Sequence, residues 1–381
     1  MQAIINGKII LNNRILSNKA LVFKDKIVQI VDADKLDIIF NNIDKIDAKG
    51  MYVSPGFIDV HIHGTAGKDV MDGDFDSLNV ISKELVKNGV TGFLATTMTM
   101  DAKSIYKALD NIKENKDLVE GAKILGTHLE GPFISPKKAG AQAPEYIIKP
   151  SYKFIKNYVD IIKIITYAPE EDNNLEFTKE IKEKSNIVLS IGHTNANYDE
   201  TMNAINSGAS HITHTFNAMP PLHHREPGVL GAAFQTDVTC EIIADTIHVN
   251  KNLFNFVLKE KGSDKIVLIT DAMRAACLKS GIYDLGGQEV IVDETSARLK
   301  DGTLAGSILT LNKAVRNIKK YSDADIVTSV KLATINPAKV IGLEKSKGSL
   351  DINKDADIVI FDDNINVYCT IVGGEIKYCK K

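Results

Sequence analysis

The chain has 381 residues, 44% of them hydrophobic and 25% charged, with a formal net charge of −3. That balance describes a globular chain with room for one large domain or two smaller ones, and its near-neutral charge argues against nucleic acid as a partner. No apolar stretch reaches the roughly 18 residues that would suggest a membrane span, and a membrane role is excluded on that ground. Two details are less ordinary: only five of the 46 basic side chains are arginine (Arg14, Arg225, Arg274, Arg298 and Arg316), and the nine histidines are clustered.

Residues 1–53 form short alternating runs, AIINGKIIL, KALVFKDKIVQIVD and AKGMYVSP, broken by Gly and Asn, which predicts a small antiparallel unit. No basic segment followed by an apolar core opens the chain, so the N-terminus reads as strand and a cytoplasmic location is expected. Eight continuous apolar runs then follow: GFIDVHIH, GVTGFLATT, KILGTHLE, VDIIKIITYAP, NIVLSIGH, ASHITHT, CEIIADTIH and KIVLITD. Continuous rather than alternating runs, separated by segments such as DSLNVISKELVKNG and FTKEIKEKSN, predict strands buried on both faces with crossover helices. Their number and extent, over residues 54–345, are those of a TIM (β/α)8 barrel. An open doubly wound sheet is the alternative, since periodicity alone does not close a barrel.

After residue 280, GGQEVIVDETSARLKDGTLAG reads as a hairpin inserted behind the eighth strand. VTSVKLATINPAKVIG reads as a helix ending near Gly342, and the linker Lys347–Ser349 leads back to two β-rich runs, ADIVIFDD and YCTIVGGEIKY. Residues 1–53 and 346–381 are therefore expected to build one small β-sandwich domain from both termini around the barrel. Cys240, Cys277, Cys369 and Cys379 form no C-x-x-C pair and are too sparse for a disulfide scaffold, so free thiols in a reducing compartment are expected, with Cys379 exposed in the tail.

Function is carried by where the ionisable residues fall. His61 and His63 end the first apolar run, Glu130 the third, His193 the fifth, His214 the sixth and Asp271 the eighth. In a barrel the C-terminal strand ends share one rim, so these six residues would converge. Side chains two apart on a strand point the same way, which lets His61 and His63 reach one ion. Imidazoles with one or two carboxylates suit Zn²⁺ or Fe²⁺. Taken singly, each has a structural explanation: a polar turn for His-x-His, a helix cap for Glu130, an N-cap for Asp271. Their recurrence at the same end of successive strands is what favours a metal site.

The segments PGFIDVHIHG, HLEGPFISPKKAGAQ, IGHTNA, HTFNAMPPLHHREPG, DTIHV, ITDAM and LAGS, in that order, resemble the motifs of the N-acetylglucosamine-6-phosphate deacetylases, a branch of the amidohydrolase superfamily. The resemblance runs through nearly the whole chain; HLEGP and HTFNAM are its specific parts, whereas His-x-His is shared across the superfamily. It implies metal ligation by Glu130, His193 and His214, with His61 and His63 completing a second position, hence one or two divalent ions per subunit. It gives Asp271 the role of general base and acid. The fourth run ends in Thr166-Tyr167-Ala168-Pro169 with no lysine at its tip to bridge two metals, and Glu130 stands in that role. The resemblance further implies that Arg225 and His248 hold a 6-phosphate, that a homodimer completes this pocket, that Ala141, Gln142, Asn217 and Ala218 contact the sugar, and that Leu304, Ala305 and Gly306 form the pocket wall. Gln142 occupies a variable position, and His223 and His224 have no assigned role. Rival readings are the galactosamine epimer as substrate, a cyclic amidohydrolase or nucleobase deaminase, and a barrel that binds sugar phosphates without turnover.

Overall fold

The structure, a computed structural model, describes residues 1–380. Eight strands form one parallel sheet in chain order: β1 (Phe57–Ile62), β2 (Val90–Thr97), β3 (Lys123–Glu130), β4 (Ile162–Tyr167), β5 (Val188–Ile191), β6 (His211–Ile212), β7 (Thr239–Ile243) and β8 (Ile266–Ile269). Seven lie within one of the eight apolar runs, and β7 begins one residue before its run, at Thr239. They are buried almost throughout because crossover helices cover the outer face. The helix Phe75–Leu85 shows how: Leu78, Ile81 and Leu85 repeat at the spacing of one helical face, and Asp74 caps the N-terminus by accepting from the Ser77 amide at 2.8 Å.

The barrel closes where β8 returns to β1, through groups outside the regular ladder. At the C-terminal rim the Asp271 amide donates to the His61 carbonyl at 2.9 Å, and Thr270 Oγ1 donates to Asp59 Oδ2 at 2.6 Å. At the other end the carbonyls of Leu332 and Ala333 accept from the amides of Leu268 (2.9 Å) and Ile58 (2.8 Å). This accounts for a difference from expectation: the single helix predicted over 327–342 is two, Ile326–Lys331 and Ile335–Val340. The break turns two carbonyls out of the helix to serve the barrel seam.

Both termini build the second unit, a sandwich of two sheets. Gln2–Ile5, Lys19–Phe23, Ile27–Asp32 and Asp44–Asp47 form one, while Lys8–Ile10, Ile15–Leu16, Tyr52–Pro55, Ile358–Phe361, Val367–Val372 and Glu375–Cys379 form the other. Leu21 and Phe23 from the first share a core with Val53, Ile358 and Ile371 from the second. The run AIINGKIIL breaks at Asn6 (φ +55°), so its halves enter different sheets. The unit is mixed rather than antiparallel, since Gln2–Ile5 runs parallel to Asp44–Asp47 and Lys8–Ile10 parallel to Tyr52–Pro55. Long connections between these partners permit the parallel return.

The run YCTIVGGEIKY is itself a hairpin turning at Gly373 and Gly374, whose φ values of +56° and +82° favour glycine. Its register places Cys369 opposite Cys379, and the two are disulfide-bonded. The expectation of free thiols is therefore corrected for this pair, while Cys240 (buried) and Cys277 (exposed) are free. The insertion after β8 is a three-stranded sheet whose Leu285 and Val290 pack with Met98, Met273 and Ala305 beside the barrel mouth. No helix among the described residues is long and apolar enough to cross a membrane.

Candidate metal centre and active site

The rim of the barrel gathers the six strand-end residues into two sets that share Glu130. Glu130 Oε1 lies 3.3 Å from His193 Nε2 and 3.1 Å from His214 Nε2, and these two nitrogens are 3.0 Å apart. On the other side Glu130 Oε2 lies 3.2 Å from His63 Nε2, and Glu130 Oε1 lies 3.3 Å from His61 Nε2. Asp271 Oδ1 faces this second set, 3.4 Å from His61 Nε2 and 3.2 Å from His63 Nε2. His61, His63, Glu130, His193 and His214 are all at most 6% exposed and Asp271 is 9% exposed.

The chain bends sharply to present these groups. His193 (φ +46°), His214 (φ +25°) and Asp271 (φ +50°) each adopt a left-handed backbone two residues beyond the end of their strand, which turns the side chain into the mouth. Such conformations cost on the order of 1–3 kcal/mol each and persist only where the surroundings hold them. Here the holding bonds are visible. The His214 amide donates to Glu241 Oε2 at 3.0 Å, the Ser135 amide to the His193 carbonyl at 2.8 Å, and the Ser307 amide to the Asp271 carbonyl at 2.7 Å. The last contact explains Gly306 in LAGS: its φ is +59°, and a Cβ there would stand 3.1 Å from the Asp271 carbonyl.

This donor set fits divalent metal. Nitrogen and oxygen ligands about 2.0–2.2 Å from a common ion stand about 3.3 Å apart in a tetrahedral shell, close to the spacings in both sets. His61 Nε2 is buried without a hydrogen-bond partner among the described residues, although two carboxylate oxygens face it. Electrostatics points the same way. Burial alone would push the imidazoles down, yet Glu130, Glu241 and Asp271 together hold His61 well above its ordinary range, and hydrogen bonding of the His63 ring to the Asp271 and Glu130 carboxylates holds His63 at about 9. Burial likewise would raise the carboxyls, but the facing histidines, His61 first, hold Glu130 well below its usual range and lower Asp271. The site demands positive charge. A third group, His61 with His128 and Glu241, lies deeper. Both nitrogens of His128 are already engaged, by the Val60 carbonyl at 3.0 Å and Thr166 Oγ1 at 2.7 Å, so it supports the barrel interior instead.

Above the two sets opens a cavity of about 320 Å³. His63, Glu130, Ala141, Gln142, His193, His214, Asn217, Ala218, His248, Asp271, Leu304 and Gly306 line it. His61 lies beneath, fully buried, and Ala305 sits behind the wall in the apolar cluster of the inserted sheet. Arg225 is apart from the rest: it stands on an exposed loop, with Nη1 2.7 Å from His224 Nε2, and does not line the cavity of its own chain. His248 Nδ1 pairs with Asp245 Oδ2 at 2.6 Å, which leaves Nε2 for a ligand. Gln142 is engaged at both ends, donating to Glu130 Oε2 and accepting from the Thr99 amide, each at 2.7 Å.

Residues 52–377 match the family model described as Amidohydrolase family. The chain belongs to the Amidohydrolase family. Relatives agree over the full length. N-acetylglucosamine-6-phosphate deacetylase of Bacillus subtilis is 40% identical over 98% of this chain and 96% of its own. The crystal structure of the Pasteurella multocida deacetylase of that name superposes with a TM-score of 0.94 at 31% identity, covering 100% of both chains. A mutant Mycobacterium smegmatis deacetylase, solved in complex with N-acetyl-D-glucosamine-6-phosphate, superposes with a TM-score of 0.90 at 26% identity, covering 99% of both chains.

Amidohydrolase family enzymes are typically dependent on a divalent metal, and this chain carries donor sets able to hold one. Reasoning from sequence missed several residues around this amidohydrolase site. Lys137 and Lys138 line the cavity beside Gly140, yet in HLEGPFISPKKAGAQ they look like surface lysines. Glu241 and His211, 3.2 Å apart, lie against the candidate ligands His61 and His214. A glutamate inside the apolar run CEIIAD was the available signal, because a carboxylate buried in a barrel strand needs a partner.

Proposed function

We propose that this chain hydrolyses the N-acetyl group of N-acetylglucosamine 6-phosphate to glucosamine 6-phosphate and acetate, with residues 54–345 as the catalytic domain. The reading is carried by Asp271, set against two histidine sets that share Glu130 on the floor of a cavity rimmed by Lys137, Lys138 and His248. Glu130, His193 and His214 would hold one divalent ion and His61, His63 and Glu130 another, with Zn²⁺ or Fe²⁺ suited to both. A bound ion of this kind lowers the pKa of water toward about 7 and polarises a carbonyl.

The chain's own residues supply the rest. The Asp271 carboxylate takes a proton from the attacking water as its oxygen bonds to the acetyl carbon, then delivers that proton to the sugar nitrogen as the C–N bond breaks. Proton delivery matters because an amine leaves poorly as an anion. Asn217, Ala218, Ala141 and Gln142 border the sugar, and Leu304, Ala305 and Gly306 form the wall that confines it.

The 6-phosphate is taken by His248 and Arg225. Guanidinium offers a planar fork matched to phosphate oxygens. Because Arg225 stands outside the cavity of its own chain, the pocket it serves is that of a second copy, and the working unit is a homodimer. The enzyme acts in amino-sugar metabolism in the cytoplasm. Acetate release from N-acetylglucosamine 6-phosphate, its galactosamine epimer and unphosphorylated N-acetylglucosamine, with metal content measured alongside, tests the assignment. The expected result is release from the first, strongly reduced without the 6-phosphate and abolished by chelation. Equal rates with and without the phosphate, or full activity in metal-free protein, would overturn it.

A further inference from the structure

Glu241 lies in β7 between Cys240 and Ile242 and is completely buried. A lone carboxylate there would be costly, yet three donors meet it: His61 Nδ1 at 3.0 Å, the His214 amide at 3.0 Å and His211 Nε2 at 3.2 Å. An ionised carboxylate only accepts hydrogen bonds. His61 therefore donates through Nδ1, so Nε2 is the nitrogen left to meet a cation, and among the described residues Nε2 is the buried nitrogen without a partner that faces Glu130 and Asp271.

The other ligand histidines are backed differently. His193 Nδ1 has the Lys138 carbonyl at 3.0 Å, and the Nδ1 atoms of His63 and His214 have no partner among the described residues. Of these ligand histidines only His61 is backed by a carboxylate among the described residues. The same carboxylate holds the amide of His214, whose φ of +25° is the tightest of the left-handed turns at the rim. One buried side chain thus fixes a ring in the His61–His63 set and the backbone of a ligand in the His193–His214 set.

We infer that Glu241 is a positioning residue that sets the His61 ring and its tautomer, and that through His61 it decides whether the His61–His63–Glu130 position takes up a divalent ion. The inference rests on the metal-dependent reading above. Carboxylate partners of metal-binding histidines typically change metal affinity by about 10–100-fold when replaced.

The test is Zn²⁺ titrated into metal-free protein by calorimetry in the presence of a competing chelator, for wild type, Glu241→Gln, Glu241→Ala, His61→Ala and the His61→Ala/Glu241→Gln double variant. Circular dichroism on each sample verifies the fold. Wild type is expected to bind two ions, and Glu241→Gln, which keeps the volume, to weaken one of them about 10–100-fold while leaving the other within a few-fold. His61→Ala is expected to lose that same ion, and adding Glu241→Gln to it to change nothing further. Wild-type affinity at both positions in Glu241→Gln overturns the inference, as does weakening that persists undiminished without His61. If Glu241→Ala fails to fold, Glu241→Gln carries the comparison. A wild type that binds no Zn²⁺ overturns the metal reading itself, whereas two ions in wild type and an unaffected Glu241→Gln overturn only the role of Glu241.

Discussion

Two buried charge clusters in this molecule are built from the same kinds of groups and end differently. In the terminal domain Lys347, 6% exposed, reaches Asp355 Oδ2 at 2.8 Å and Asp357 Oδ2 at 2.5 Å. The remaining oxygens also find donors, Asp357 Oδ1 from the Gly373 amide at 2.8 Å and Asp355 Oδ1 from Lys26 Nζ at 3.4 Å. At the barrel mouth, Glu130 and Asp271 face four imidazoles, and His61 Nε2, which faces both carboxylates, has no hydrogen-bond partner among the described residues. The first cluster is closed and holds structure together. The second is open to a cavity of about 320 Å³ and is built from donors suited to a divalent ion.

Asp271→Asn breaks this contrast most sharply. The amide keeps the shape of the residue and removes its capacity to take a proton, so kcat should fall by about 10²–10⁴-fold, the range for lost general acid–base catalysis. Metal content by inductively coupled plasma spectrometry and the melting temperature should stay close to wild type. Near wild-type kcat would mean that Asp271 belongs to the structure, as Asp357 does.

Lys347→Met is the mirror experiment. It leaves Asp355 and Asp357 without their cation, and removing one partner of a buried pair costs about 3–5 kcal/mol. Urea unfolding should record that loss, while kcat per folded molecule and metal content remain unchanged. The pH dependence has a definite sign. Burial pushes Asp355 up, but Lys347 and then Lys26 outweigh it and hold its carboxyl below the usual range. A lowered folded-state pKa stabilises above the unfolded pKa of about 3.9 and is lost as pH falls through the folded value. The gap between wild type and Lys347→Met should therefore narrow in acid below about pH 4. A gap that widens there would show that the pair is not what holds this corner.

The barrel was legible in the sequence because strands buried on both faces leave continuous apolar runs, and the candidate site because its polar residues interrupt those runs at one end. His61, Glu130 and Asp271 stand out for that reason. What stayed hidden depends on partners distant in sequence. Glu241 looks like a flaw in an apolar strand until His61, 180 residues away, is placed against it. The division of AIINGKIIL between two sheets turns on one left-handed residue, Asn6. Cys369 and Cys379 become neighbours only through the glycine turn at residues 373 and 374. The broken helix after Asp325 follows from two carbonyls needed at the barrel seam, a demand with no local signature.

Arg225 is where the two modes of satisfying charge meet, because in the single chain it is neither closed nor at the open site. Its guanidinium rests against His224 on an exposed loop. If that loop serves a second copy, Arg225→Ala should lower kcat/KM for the 6-phosphorylated substrate by about 10–100-fold, the worth of a charge-assisted hydrogen bond of roughly 1.5–3 kcal/mol, and leave the slow reaction of the unphosphorylated sugar unchanged. Mixing then separates the two geometries. A dimer formed from an Arg225→Ala chain and an Asp271→Asn chain has one pocket in which an intact Asp271 meets an intact Arg225, but only if the arginine crosses between subunits. Co-refolded in equal amounts, two nearly inactive proteins should recover roughly a quarter of the wild-type activity at low substrate. No recovery in a mixture shown by native mass spectrometry to contain mixed dimers would place Arg225 in the service of its own chain.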